Sequence, residues 1–395
     1  MIRLVGSLGA GGVLYLTPMV FHREAFSAGS VTEGVALAAV VGTLGRFLSG
    51  LLLDRGLRCS LPVLLAVLAA LAGDGVLLTA REPAGYRLGQ LLMGTAMGLY
   101  WPAIELAVPL CSAPLASARG FALVRSADAL GIAAGALIGA FLAGVGLLRG
   151  IYPLDIACLV AMAVLLLRHP LPAAPRRQAE GRSSHGRPWL LPLLPLLAVA
   201  VLATALPALM QSALPLDLVR GGLRRPALPE SLGALLIGLQ LGLLVLLQWP
   251  VGRAMARRPV AHGLALSLLC FAAGCLLLAG SAWLPRGVGL LVAAQLPLAL
   301  GTAAFLPTAT EAVVELTPAE HRGLALALYS QSFAVSAFAA PLLAGRLLDS
   351  QGHGAGLWLG MGGACLLGLT LVARGGQVDP PSPALLSHDR PNEMP

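Results

Sequence analysis

Twelve runs of roughly 20 mostly apolar residues follow one another along this chain, and a run of that length crosses the hydrocarbon core of a bilayer as one helix. The first six lie at 4–21, 33–53, 61–79, 88–108, 121–145 and 151–167. The second six lie at 189–211, 232–251, 263–281, 288–308, 323–345 and 355–373. They are too long for strands and do not alternate, so spanning helices are expected rather than a β-barrel. With 57% hydrophobic and only 11% charged residues, too little charge remains to cover a soluble surface. The 48 glycines suit helices whose backbones approach closely in lipid.

The first run begins just after Arg3, and a few residues upstream of it are expected. Another spanning run follows it where a cleaved signal peptide would give way to a polar domain, so it reads as the first helix. One long polar connection interrupts the series, RHPLPAAPRRQAEGRSSHGRP at 168–188, which has the composition of a flexible linker. The expected organisation is therefore an N-terminal six-helix bundle (1–167), a cytoplasmic linker (168–188), a C-terminal six-helix bundle (189–373) and a disordered tail (374–395). Fifteen arginines fall on the linker side of this topology and nine on the other. That bias places both termini in the cytoplasm of a multi-pass protein of the cell (inner) membrane.

All 26 basic residues are arginines, and the formal net charge is +8. They fall in short clusters between apolar runs instead of forming one face, which excludes nucleic acid as a partner. The six cysteines and seven histidines show no ligand spacing, so neither a metal nor a cofactor is expected. A Walker loop is absent, and so are the DxxD and HxxxD patterns of a membrane transferase, so the chain does not read as an enzyme.

A repeat at an offset near 203 residues joins the two halves. Arg119-Gly120 opens the fifth run as Arg322-Gly323 opens the eleventh. Gly94-x3-Gly98 before Pro102 is echoed by Gly301 before Pro307, and Asp54-Arg55 by Ala256-Arg257. Three coincidences at offsets of 202 to 205 residues point to duplication of a six-helix unit.

With that repeat, GLLLDRGLR at Gly50–Arg58 resembles the loop between helices two and three of the major facilitator superfamily of secondary transporters. Here Gly56 comes one place early, and the second copy has Ala256 where an acid is often found. The resemblance covers about residues 4–373 and implies twelve helices in two pseudo-symmetric bundles, working by alternating access on a small-molecule substrate. It also implies that Gly50, Asp54, Arg55 and Arg58 form a cytoplasmic gating loop, with Asp54 near the start of helix eleven. That start reads Thr317-Pro318-Ala319-Glu320, a capping box, and a second box is expected at Ser30-x-x-Glu33. The alternative for the loop is simple retention of positive charge on the cytoplasmic side.

Seven ionisable residues fall inside the expected spans: Glu33, Arg46, Asp74, Glu105, Arg125, Asp128 and Asp155. All lie in the first half, and each needs a partner or water. Arg46, Arg125 and Asp128 lie at matching depth and are expected to form an intramembrane charge network, either beside the transport path with Asp128 binding protons or as a packing element. Asp74 and Asp155, near helix ends, read as structural. Candidate cavity residues are Trp101, Glu105, Gln211, Gln240, Gln295 and Gln331. The resemblance implies proton-coupled efflux by a monomer in the lipid bilayer, although Ala136 replaces the proline of the antiporter glycine motif in Gly131-x3-Gly135-x3-Gly139. Transport of an anionic metabolite, suggested by the arginines, and a non-transporting scaffold or sensor are the rivals.

Overall fold

In the computed structural model each apolar run is a helix, ended where glycine, proline or charged residues break it. The structure describes residues 1–112, 117–173, 190–255, 257–318 and 321–375. The first bundle comprises α1 (Ile2–Arg23), α2 (Ala28–Asp54), α3 (Ser60–Thr79), α4 (Pro83–Ser112), α5 (Ser117–Gly144) and α6 (Ile151–Arg168). The second comprises α7 (Leu190–Arg220), α8 (Glu230–Met255), α9 (Val260–Ser281), α10 (Val288–Glu315), α11 (Arg322–Gln351) and α12 (Ala355–Gly375). All 12 are long and apolar enough to cross a membrane. Most of the expected linker and tail, 174–189 and 376–395, lies outside the described residues, as does Ala256.

Several helices run past the expected spans, and this changes the distribution of charge. α1 begins at Ile2 and takes in Arg3, which the hydropathy pattern assigns to the flank. α7 runs to Arg220 and takes in Asp217. The expectation that the second half holds no intramembrane charge is therefore corrected. Asp217 is 1% exposed and accepts hydrogen bonds from the Gly354 amide (2.9 Å) and the Trp358 indole (3.1 Å). The buried Arg225 guanidinium lies 3.3 Å from it and also donates to Ser281 Oγ. The network ties α7, α9 and α12 together, and each buried charge has a partner. The expected box at Ser30 is not used either. α2 starts earlier, and its cap is Ser27, whose hydroxyl accepts from the Ser30 amide. Glu33 instead pairs with Arg87 at 3.2 Å.

Within the first bundle, α1 packs on α5 and α6, and α2 packs on α4, along seams of glycine. A methyl on Gly98 would strike the backbone of Gly42 and Gly45, and one on Gly135 would strike the backbone of Leu8 and Gly11. Such seams allow the backbones themselves to touch. In the second bundle α9 sits between α10 and α12, and α7 packs on α11.

The bundles meet through α1 on α7, α2 on α11 and α5 on α8. Their joints gather at the membrane face opposite the 168–188 connection. Met19 packs against Gly233, Leu137 against Gly238, and Thr32 against Gly345. Arg23 pairs with Glu230 at 3.6 Å. One continuous apolar core links both bundles there. Towards the linker face, Leu53, Val63, Ala103 and Leu166 belong to a separate core confined to the first bundle. Among the described residues, the contacts between the bundles are thus concentrated at one face.

Candidate functional site

A cavity of about 340 Å3 lies between the bundles, lined by α1, α2 and α4 from the first and by α7 and α11 from the second. α7 carries Pro195, Pro207 and Pro215 inside one continuous helix. Each proline frees a backbone carbonyl, and Pro207 lies in the cavity wall, where a bent helix is tolerated. The wall is mostly apolar, with Val13, Leu14, Met93, Met97 and Phe333 prominent. Its polar groups are Thr17, Thr43, Gln90, Trp101, Thr204 and Gln211. Among the described residues, Arg46 is the ionisable side chain in this wall, and it is exposed to the cavity.

The sequence-based grouping of Arg46 with Arg125 and Asp128 needs correction. α5 packs on α1 and α8, whereas α2 packs on α4 and α11, so matching depth does not make Arg46 a neighbour of Asp128. Asp128 pairs instead with Arg3, whose Nη2 lies 2.7 Å from its Oδ2, and it accepts a short hydrogen bond from the Ser7 hydroxyl. The Arg3 guanidinium also lies over the Trp101 ring at 4.0 Å and near the Tyr100 ring at 5.2 Å. An arginine held by a carboxylate and two aromatic faces loses little by leaving water. Arg125 lines a small recess with Arg3, Asp128, Trp101 and Glu105, but is itself exposed.

Among the cavity candidates, Trp101 and Gln211 line the central cavity. Glu105 is exposed and lines the recess beside Arg125 instead. Gln240 and Gln295 are buried in the second bundle away from the cavity, and the Gln295 amide donates to the Leu291 carbonyl at 2.7 Å. Gln331 is exposed outside the cavity. Helical position alone does not separate the cavity side of a helix from its packed or lipid side.

At the linker face, Asp54, Arg55 and Arg58 are all exposed. Gly56 takes a left-handed φ of 76°, which fixes the turn after α2 and accounts for a glycine at that place. Gly50 has open space where a side chain would sit. Ala319 and Glu320, half of the expected box before α11, lie outside the described residues.

The opposite face carries a contact with no obvious sequence signal. Asp349, at the end of α11, accepts hydrogen bonds from the amides of Ala28 (2.9 Å) and Gly29 (2.7 Å), the first residues of α2. Arg220 at the end of α7 lies 2.9 Å from the same carboxylate. Free amides at a helix start favour an anion, so Asp349 fastens one bundle to the other.

Two helical bundles latched at one face, with a cavity between them, have the architecture of a membrane carrier. A model of the Major Facilitator Superfamily matches residues 196–391, and the chain belongs to that superfamily of secondary transporters. Solved structures share the fold over nearly the whole length. A POT family transporter in complex with a thioalcohol-conjugated peptide aligns with TM-score 0.80 at 12% identity, covering 95% of this chain and 94% of the other. The nucleoside transporter NupG aligns with TM-score 0.79 at 12% identity, covering 96% and 98%. A peptide transporter POT in complex with sulfate aligns with TM-score 0.77 at 15% identity, covering 96% and 95%. A comparison with curated protein sequences finds no match.

Proposed function

We propose that this protein carries a small organic molecule with an apolar body and an anionic group, and that the substrate sits in the cavity between the bundles. The observation that carries the reading is the charge of that cavity: an apolar wall, a few hydroxyls and amides, and Arg46. An arginine facing a poorly hydrated space is a strong partner for carboxylate or phosphate and repels cations. This favours the anionic rival over export of lipophilic cations. The glycines of α5 give export no separate support, because their packing on α1 accounts for them. The arginine bias supports the linker face as the cytoplasmic one, and the latched face is then the outer one.

The test is a thermal-shift panel on purified protein, with monocarboxylates, phosphate esters, dipeptides, nucleosides and lipophilic cations. Dipeptides and nucleosides belong in it because two fold neighbours are described as peptide and nucleoside transporters. Stabilisation by anionic compounds, lost in Arg46→Gln, supports the reading. Stabilisation by cations, or anion binding that Arg46→Gln leaves unchanged, overturns it. Uptake and release of the compound found, measured in proteoliposomes with either orientation of the pH gradient, then fix direction.

A further inference from the structure

Two buried carboxyl groups take no part in the cavity described above. Asp74 on α3 is 0% exposed and Asp155 on α6 is 2% exposed. α3 packs on α6 and makes the two carboxyl groups neighbours. As carboxylates, both Asp74 oxygens and Asp155 Oδ1 have no hydrogen-bond partner among the described residues. Two carboxylates have only acceptors to offer each other, so a hydrogen bond between them needs a proton on one. The alternative, two adjacent unpaired charges inside a membrane, costs several kcal/mol on any scale.

The charged groups around the pair do not relieve it. Arg149 stands one turn beyond Asp74 and is committed elsewhere. Its guanidinium donates to the carbonyls of Leu77, Leu78 and Ala80 and pairs with Glu24 at 3.0 Å. On α6, Tyr152 lies near Asp74 and Cys158 near Asp155. Tyr152 donates to Thr17. On α1 the neighbour is Gly9, where a methyl would strike the Asp155 carboxylate and backbone. Among the described residues no basic side chain is paired with either carboxyl.

Asp155 also lines a second cavity of about 100 Å3 inside the first bundle. Its other end is formed by the Arg3–Asp128 pair with Tyr100 and Trp101. That volume has room for a few waters. It shares Leu14, Met93, Met97 and Trp101 with the wall of the substrate cavity. α1 therefore touches the substrate cavity through Val13, Leu14 and Thr17 and covers the carboxyl pair with Gly9.

We propose that Asp74 and Asp155 form the proton-binding site of this carrier, loaded in the conformation seen here and reached through the cavity lined by Asp155. The coupling half of this proposal rests on the transport reading above; the proton-binding half does not. In the loaded state the proton sits on one carboxyl and is shared with the other. Movement of α1 as the substrate cavity changes sides admits water to Asp155, and the proton leaves to that water. No other bond forms or breaks.

Infrared difference spectroscopy of the full-length protein in lipid tests the first half without any substrate. The wild type is expected to show the carbonyl stretch of a protonated carboxylic acid at neutral pH, disappearing reversibly in alkaline buffer. In Asp74→Asn and Asp155→Asn the remaining carboxyl has no second carboxyl to share its proton with, so the band should shift in frequency and titrate at a different pH. A wild type without the band at neutral pH, or a band that neither variant alters, overturns the site. The wild-type titration decides this even if a variant does not fold.

The second half is tested with a compound selected by the binding panel. In both variants the ratio of accumulation driven by a pH gradient to exchange between equal concentrations should fall at least tenfold. An undiminished ratio would overturn coupling while leaving the proton site in place. If no compound is carried by the wild type, the transport reading fails and coupling fails with it, but the spectroscopic result still stands.

Discussion

Asp349 and Ala28 stand 321 positions apart in sequence, and a 2.9 Å hydrogen bond between them joins the two bundles. The carboxylate covers the first two amides of α2, and Ser27 covers the third, so most of the unsatisfied donors of that helix start are met. α2 and α11 run antiparallel, and the resemblance assigns Asp54, at the other end of the pair, the matching role at the start of α11. Asp54 is exposed in this conformation. Among the described residues, one end of this helix pair is thus fastened, while Asp54 at the other is exposed.

Loss of the fastened end should shift the conformational balance. Removing a capping carboxylate costs roughly 1 kcal/mol, which changes a two-state population about fivefold. Asp349→Asn should therefore populate a state parted at the face opposite the linker. Spin labels at Glu82→Cys and Arg286→Cys, both on that face, in a background without the exposed Cys111, should report a longer distance component. An unchanged distance distribution would show that the latch does not set the equilibrium.

Gly345 offers a steric version of the same test. A side chain there would strike Thr32 and the backbone of Ala28 and Gly29 across the bundle interface. Gly345→Leu should act as a wedge, and the effect on the same label pair should exceed that of Asp349→Asn. Overpacking of this kind typically costs 1–3 kcal/mol. The check is the distance distribution together with retained helical content.

The Arg3–Asp128 pair predicts non-additive stability. Its side chains are 9% and 17% exposed, so breaking it strands a charge in a dry place. Arg3→Met or Asp128→Leu alone should cost about 3–5 kcal/mol, whereas the double variant should recover most of that loss. Unfolding curves in one detergent measure all four forms. Additive losses would mean that the charges act separately.

Arg46→Gln should weaken binding of an anionic compound by roughly 10- to 100-fold, the value of about 1.5–3 kcal/mol for a charged hydrogen bond. Neutral analogues should bind the variant about as well as the wild type. Titration calorimetry on both forms provides the comparison.

The twelve helices were legible because a bilayer demands length and apolarity together, and no other local pattern satisfies both. Their ends were less so. α1 swallows Arg3 and α7 swallows Asp217, since a charge with a tertiary partner is tolerated inside a helix that hydropathy alone would end earlier. The site was legible only by type. Asp128 did need a partner, but Arg125 and Arg46 are its neighbours in sequence or in depth, while Arg3 reaches it through the packing of α1 on α5. Asp74 and Asp155 looked like helix-end residues because nothing in their sequence spacing reveals that the packing of α3 on α6 makes them neighbours. Asp349 gave no signal because the helix start it caps belongs to the other bundle.

The glycine seams of the first bundle divide its sequence into what can and cannot be rewritten. Between α2 and α4 even one added carbon meets backbone, and backbone has nowhere to yield. The outward leucines, Leu44, Leu51, Leu68 and Leu167 among them, are each more than half exposed. Redesign for solubility or for growth of crystals belongs on that coat, where side chains can be exchanged freely, while Gly42, Gly45, Gly94 and Gly98 should be left as they are. A deep mutational scan would draw the same map as a ring of tolerance around a skeleton of forbidden positions.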